Sequence, residues 1–480
     1  MRTEGLYIDG SRTEAADGAT ASTHDPSTGE VIARFAQAGT ADADRAVRAA
    51  DRAFRTGDWS RASARERGQV LHRLSQLVRV HTEELAQLEA RDAGKPIAAA
   101  RGEMGSVATT FAYYAGAADK VGGQTLPGHA DGTLLTFREP LGVCAAIVPW
   151  NFPLVITAWK VAPALAMGNT VVVKPAELTP LTALRLAELA TEAGLPDGVL
   201  NVVPGPGSKV GDALVRHPLV RKVSFTGSTE VGTRVMQAAA EDITRVSLEL
   251  GGKSANLVFA DADLEACVDS SVFSVFDNAG QDCCARSRML IERDVFDEFV
   301  ERFVDRVERL RVGPTGDEAT EIGPLISPGQ RESVEAHLQG ALEDGARCLT
   351  GGQRPDGPLA DGNYLVPAVL VGAEPAARIV QEEVFGPVVA LLPFDDEPEA
   401  VALANDSVYG LSGSIWTRDV GRALRVARHV ETGMLSVNTS SSVHIEAPFG
   451  GMKQSGIGRE QGLPALDHYS ELKSVFIAND

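Results

Sequence analysis

The chain has 480 residues, with 65 Asp and Glu against 45 Lys and Arg, a formal net charge of −20. A field of that sign repels nucleic acid and anionic lipid, so neither is expected as a partner. With 44% apolar and 23% charged residues, the composition is that of a folded chain of two to four domain-sized units rather than a disordered one.

The opening MRTEGLYIDGSRTE lacks the apolar core of a secretory leader, and no later window reaches the ~18 apolar residues of a membrane span. Val70, Leu71, Leu74, Leu77, Val78, Leu85 and Leu88 then recur at helical spacing. From about residue 141 the rhythm changes to short apolar runs between amphipathic stretches. Val171–Val173 reads as a buried strand, and a helix follows from Pro180 until Gly194 ends it. VLNVV from Val199, KVSFTG from Lys222 and RVSLEL up to Leu250 read as further strands, with a helix after Ser228. Alternation of this kind predicts a doubly wound parallel sheet, which binds ligands at the carboxyl ends of its strands. After Leu250 the pattern restarts with SANLVF and a helix near Asp261, whose carboxylate is placed to cap it. Val295, Phe299, Val300, Phe303, Val304, Val307 and Leu310 mark one face of a helix. Later strands are expected at Val388–Pro393, Ser412–Trp416 and Met434–Asn438. Two α/β domains therefore meet near residue 250. The terminal YSELKSVFIAND alternates like an edge strand with no helix to cover it, which favours pairing with another chain.

Two stretches carry chemistry. In FDNAGQDCCAR, Cys283 follows a polar turn, with Gly280 freeing the backbone and Arg286 adding a positive charge that suits a thiolate nucleophile. A buried, inert cysteine is the competing reading. Cys284, next to it, reads as a packed apolar side chain or as the partner of a vicinal disulfide, and Cys144, Cys267 and Cys348 read as core. Five cysteines do not form a disulfide framework, and a reducing cytoplasm is the expected location. In LELGGKS, Glu249 ends a buried strand before two glycines, where desolvation raises a carboxylate toward a useful general base. The same stretch fails as a phosphate-binding loop, because Ser247 stands where the first glycine is required. No G-x-S-x-G hydrolase elbow occurs, and the nine histidines show no metal-ligand spacing, so no metal is expected.

Glu249 with GGK behind it and Cys283 with GQ before it, together with PWNFP (149–153), KPAE (174–177), FTGSTEVG (225–232), EEVFGPV from Glu382 and PFGGMKQSGIGRE from Pro448, resemble the NAD(P)-dependent aldehyde dehydrogenase superfamily over almost the whole chain. The resemblance implies an NAD-binding domain (1–121 and 141–249), a catalytic domain (250–450) and an oligomerisation arm (122–140 and 463–480) in a homodimer or homotetramer. It implies that Cys283 attacks the aldehyde, that Glu249 activates water against the resulting thioester, and that Asn151 steadies the oxyanion. Lys160 and Glu460 match positions linked to proton relay. For the cofactor, Pro149, Trp150, Lys174, Glu177, Gly207, Gly227, Ser228, Glu383 and Phe385 match the NAD-binding positions. A carboxylate at Glu177 disfavours the 2′-phosphate, which leaves NADP as the weaker alternative. Asp282, Asp277, Trp159 and Phe449 match the substrate tunnel, with His444 and Glu446 near its mouth. NAGQDC is similar to the 4-aminobutyraldehyde dehydrogenase group, so a cationic ω-amino aldehyde such as 4-aminobutanal is the expected substrate. Neutral aldehydes, betaine aldehyde and succinate semialdehyde are the alternatives. A CoA-acylating enzyme is disfavoured by Glu249, and a non-catalytic binding protein of the same fold by the retained Cys283, Glu249 and Asn151.

Overall fold

The computed structural model describes residues 3–128 and 130–479. Residues 1, 2 and 480, at the ends of the expected first domain and arm, and residue 129 within the arm, lie outside the described residues.

Strands buried on both faces send alternate side chains to opposite cores. In Val143–Ile147, Cys144 and Ala146 join one core while Val143, Ala145 and Ile147 join the other. Five such strands lie parallel in the spatial order Arg245–Glu249, Val220–Thr226, Val143–Ile147, Thr170–Lys174 and Leu200–Val202. Helices Ala64–Val80, Ile97–Ala117, Pro153–Ala166 and Leu181–Glu192 cover one face. Thr40–Thr56 and Thr229–Ala240 cover the other. Antiparallel strands close both edges, Leu6–Ile8 with Ser11–Thr13 on one side and Gly456–Ile457 on the other. The second sheet has seven strands in the order Arg347–Thr350, Ala368–Val371, Val388–Phe394, Arg288–Glu292, Ala255–Val258, Gly413–Trp416 and Ser436–Val437. All are parallel except the first.

The fold departs from the sequence reading in four places. Asp263, not Asp261, caps the helix Leu264–Phe276 by accepting from Ala266 N. Asp261 instead accepts from Thr417, Arg418 and Asp419 and pairs with Arg422, tying two loops together. The strand expected at Met434–Asn438 shrinks to Ser436–Val437, because Asn438 turns out at φ 54°. Cys348 is half-buried on an edge strand rather than in the core. Finally, Ala465, Leu466 and Tyr469 pack into the first core, so the edge strand expected from Tyr469 begins only at Ser470 and ends at Ala478. It pairs antiparallel with Gly132–Pro140 along nine residues, from Ser470↔Pro140 to Ala478↔Gly132. Among the described residues, no helix is long and apolar enough to cross a membrane.

Candidate active site

The carboxyl ends of the first sheet face the turn that enters the second. Glu249 ends one strand, Thr226 the next in register with it, and Asn151 follows Val143–Ile147 just before the helix that Pro153 opens. From the other side, the helix Leu264–Phe276 stops and the backbone turns left-handed at Asn278 (φ 51°), Ala279 (φ 55°) and Gly280 (φ 71°). That turn delivers Cys283 into the gap. Two cavities open there, one of about 690 Å³ and one of about 260 Å³. Both are lined by Cys283, Glu249, Leu250 and Thr226, so the thiol and the carboxylate stand where the two chambers meet.

Glu249 is 3% exposed, and neither carboxylate oxygen accepts a hydrogen bond from the described residues. Burial, reinforced by the charge of Glu460, holds its pKa well above the usual carboxylate range, while Lys160 and Arg459 oppose the shift. A carboxylate with free lone pairs and a raised pKa is equipped to take a proton from water. Gly450 comes so near that a Cβ would lie 2.8 Å from Oε1, so this approach requires glycine. Behind Glu249, fully buried Lys160 pairs with Glu460 and donates to Ser224 Oγ at 3.0 Å. Ser224 Oγ in turn donates to Glu460 at 3.0 Å.

The thiol does not match its sequence reading. Arg286 is buried beside it, but its guanidinium donates to Cys284 O, Ser414 Oγ, Ser440 O and Ser442 Oγ. A hydrogen bond with Cys284, then burial, pushes the Cys283 thiol well above the ordinary cysteine value. The arrangement therefore holds a protonated thiol, not a standing thiolate. Cys284 is buried against Leu411, Met434 and Phe449. Asn151 Nδ2 donates to Gln281 O at 2.9 Å, which fixes the amide while leaving its second N–H uncommitted.

The smaller cavity is lined by Pro149, Trp150, Gly227, Ser228, Glu383 and Phe385, among others. Glu383 accepts from Gly252 N at 3.0 Å, and burial lifts its pKa to about 7. A Cβ on Gly251 would overlap the Glu383 carboxylate. Phe385 sits at φ 54° with its ring edge-on to Trp150, centroids 5.3 Å apart. Ser228 caps its helix through Val231 N. Lys174 ends its strand, and burial lowers its pKa to about 8. Glu177 accepts from Gln37 Nε2 at 2.6 Å. Gly207 is exposed at the start of the turn 207–211 and, like Lys174 and Glu177, lines neither cavity.

The larger cavity brings Asp277, Asp282, Trp159 and Phe449 together, with His444 and Glu446 also on its wall. Asp282 accepts from Cys284 N at 2.9 Å, and burial raises its pKa. Trp159 and Phe449 pack with centroids 4.9 Å apart. Three contributors escaped sequence reasoning. Gln330 donates to Phe385 O at 2.8 Å. Glu103 lines the large cavity and pairs with buried Lys95, whose ammonium sits 3.7 Å over the Phe152 ring. Lys95 follows Gly94, the left-handed residue that ends the helix Thr82–Ala93, and this Gly-Lys-Pro signal was the one clue available.

A sequence model of the aldehyde dehydrogenase family matches residues 13–475. The betaine aldehyde dehydrogenase of Bacillus subtilis (strain 168) is 44% identical over 473 residues, 98% of this chain and 96% of that protein. The solved betaine aldehyde dehydrogenase from Staphylococcus aureus, in complex with NAD+, superposes with a TM-score of 0.97 at 42% identity, covering 98% of this chain and 94% of that one. The NAD+ complex of an aldehyde dehydrogenase from Bacillus cereus gives 0.98 at 41% identity, covering 100% and 97%.

Proposed function

Since the chain belongs to the aldehyde dehydrogenase family, we propose that it oxidises an aldehyde with a cationic tail to the carboxylic acid, with NAD as hydride acceptor. One observation carries the reading: two chambers of different character meet at Cys283 and Glu249. The aldehyde enters the larger. The Cys283 thiol loses its proton to solvent water in the larger cavity as its sulfur attacks the carbonyl carbon to form the thiohemiacetal. Asn151 Nδ2–H and the Cys283 N–H hold the developing oxyanion, the kind of fixed donors worth roughly 2.7–4 kcal/mol each in transition-state stabilisation. After oxidation to the thioester, Glu249 takes a proton from water, which attacks the acyl carbon and releases the acid and the thiol. Lys160, Ser224 and Glu460 carry the proton onward.

The smaller chamber suits the nicotinamide end of NAD. Gly227 and Gly251 line it, Thr226 Oγ1 is buried with no partner among the described residues, and Glu383 faces the chamber. Lys174 and Glu177, at the neighbouring strand end, would hold the adenosine ribose. Bound there, NAD supplies the hydride acceptor. The Glu177 carboxylate repels a 2′-phosphate, which sets NAD above NADP.

Asp277, Asp282 and Glu446 face the larger cavity against one Arg79, while Glu103 there is paired with Lys95. A carboxylate ~4–6 Å from a cation contributes on the order of 1–4 kcal/mol between exposed and partly buried limits. That favours 4-aminobutanal over anionic succinate semialdehyde. The Trp159–Phe449 pair favours a second cationic reading, a quaternary ammonium such as betaine aldehyde, because such heads bind aromatic faces. A kcat/KM panel with 4-aminobutanal, betaine aldehyde, butanal and succinate semialdehyde tests the proposal. Both cations are expected to lead. Asp282→Asn is expected to lower kcat/KM for 4-aminobutanal by about tenfold and leave butanal within about twofold. A preference for succinate semialdehyde would exclude the cationic reading.

A further inference from the structure

The left-handed turn before Cys283 is an expensive conformation. Asn278 and Ala279 both have φ above 50°, a left-handed region that Asn tolerates but Ala adopts only under constraint. Such a turn persists only where surrounding bonds over-determine it, and here Asn278 supplies them. Its Nδ2 donates to Asn151 O at 3.0 Å and to Gln281 O at 3.2 Å. Its carbonyl accepts from Gln281 Nε2 at 2.9 Å, and Gln281 Oε1 accepts from Ile326 N at 2.9 Å. The Gln281 carbonyl is also the acceptor for Asn151 Nδ2. One buried amide therefore grips Asn151 by its backbone and shares with it the carbonyl that orients its side chain. Asn151 belongs to the first sheet's loops and Asn278 to the second's, so the pair bridges the domains where oxyanion donor and nucleophile must be matched.

We infer that Asn278 is a positioning residue that sets the Asn151 amide against Cys283 across the domain boundary. The inference rests on the proposed oxyanion role of Asn151. Its effect should appear in acylation, when the oxyanion first forms, and should require Asn151 to be present. Asn278→Gly removes the amide while keeping the left-handed backbone unstrained, and Asn278→Asp keeps the size but removes both donors.

Rapid mixing of holoenzyme with aldehyde gives the NADH burst rate for wild type, Asn278→Gly, Asn151→Ala and the double variant. In the wild-type background, Asn278→Gly is expected to slow the burst about 10- to 100-fold, with NAD Kd within about twofold. In the Asn151→Ala background it is expected to cost less than about threefold. Equal losses in the two backgrounds, or NAD Kd rising in step with the lost rate, would show a general structural role and overturn the inference. A burst unchanged by Asn151→Ala itself would remove the oxyanion assignment and the inference with it. Asn278→Asp, which cannot donate, must reproduce the glycine variant. Wild-type burst rate in that variant also counts against the inference.

Discussion

A thiol that holds its proton more tightly than free cysteine reacts only when that proton is drawn off during attack. The largest cause at Cys283 is the hydrogen bond with Cys284, ahead of burial. Cys284→Ala should therefore lower the Cys283 pKa and raise the thiolate fraction at a fixed pH. Alkylation of Cys283 by iodoacetamide at pH 7.5 is expected to accelerate by roughly threefold or more, and an unchanged rate would assign the shift to burial alone. At Glu249 the sign is the same for function, since only the deprotonated form is a base. Thioester hydrolysis in single turnover should rise with pH through the region above the ordinary carboxylate range. Arg459→Gln removes a charge that favours the carboxylate, so it should move that rise to higher pH. Glu177→Ser should improve the NADP-to-NAD ratio of kcat/KM by about tenfold or more, because it deletes a negative charge beside the ribose position.

At the scale of elements, the parallel strands were legible because Val, Ile and Leu runs bounded by glycine admit few alternatives. Even there, small residues misled. Both Asp261 and Asp263 precede the helix Leu264–Phe276, and spacing alone did not show which would cap it, since Asp261 is claimed by Thr417 and Arg422, more than 150 residues away. The thiol's protonation was misread for the same reason. Arg286 is near in sequence, but its guanidinium is committed to partners around 412–442 that no local pattern reveals. Lys95 and Glu103 were missed because their relation to the cavity runs through the packing of three helices. Motif glycines were legible where they touch another group. Gly251 is the clearest case, and Gly251→Ala should drive the Glu383 carboxylate out of place. NAD KM is expected to rise about tenfold or more with thermal stability little changed, read by initial rates and by melting.

At the scale of the molecule, the arm and the cleft depend on different physics. Ser470–Ala478 pairs on one side only within the chain, leaving its outer edge without a strand among the described residues, and Leu472 is 57% exposed on it. An edge of that length favours a second copy of the chain. Ending the chain after Tyr469 should reduce the sedimenting species to a monomer, whereas an unchanged oligomer would place the interface elsewhere. The cleft is lined by residues of the two sheets and their loops.

The division of labour between Cys283 and Glu249 is tested most directly by rapid-mixing absorbance of Glu249→Gln with NAD and 4-aminobutanal. In the proposed mechanism acylation at sulfur does not need the carboxylate, and hydrolysis does. The expected trace is a burst of about one NADH per active site followed by a phase at least about 100-fold slower than wild-type turnover, with the acyl group found on Cys283 by mass spectrometry. Full steady-state turnover in Glu249→Gln, or no burst with an unmodified Cys283, would contradict the account.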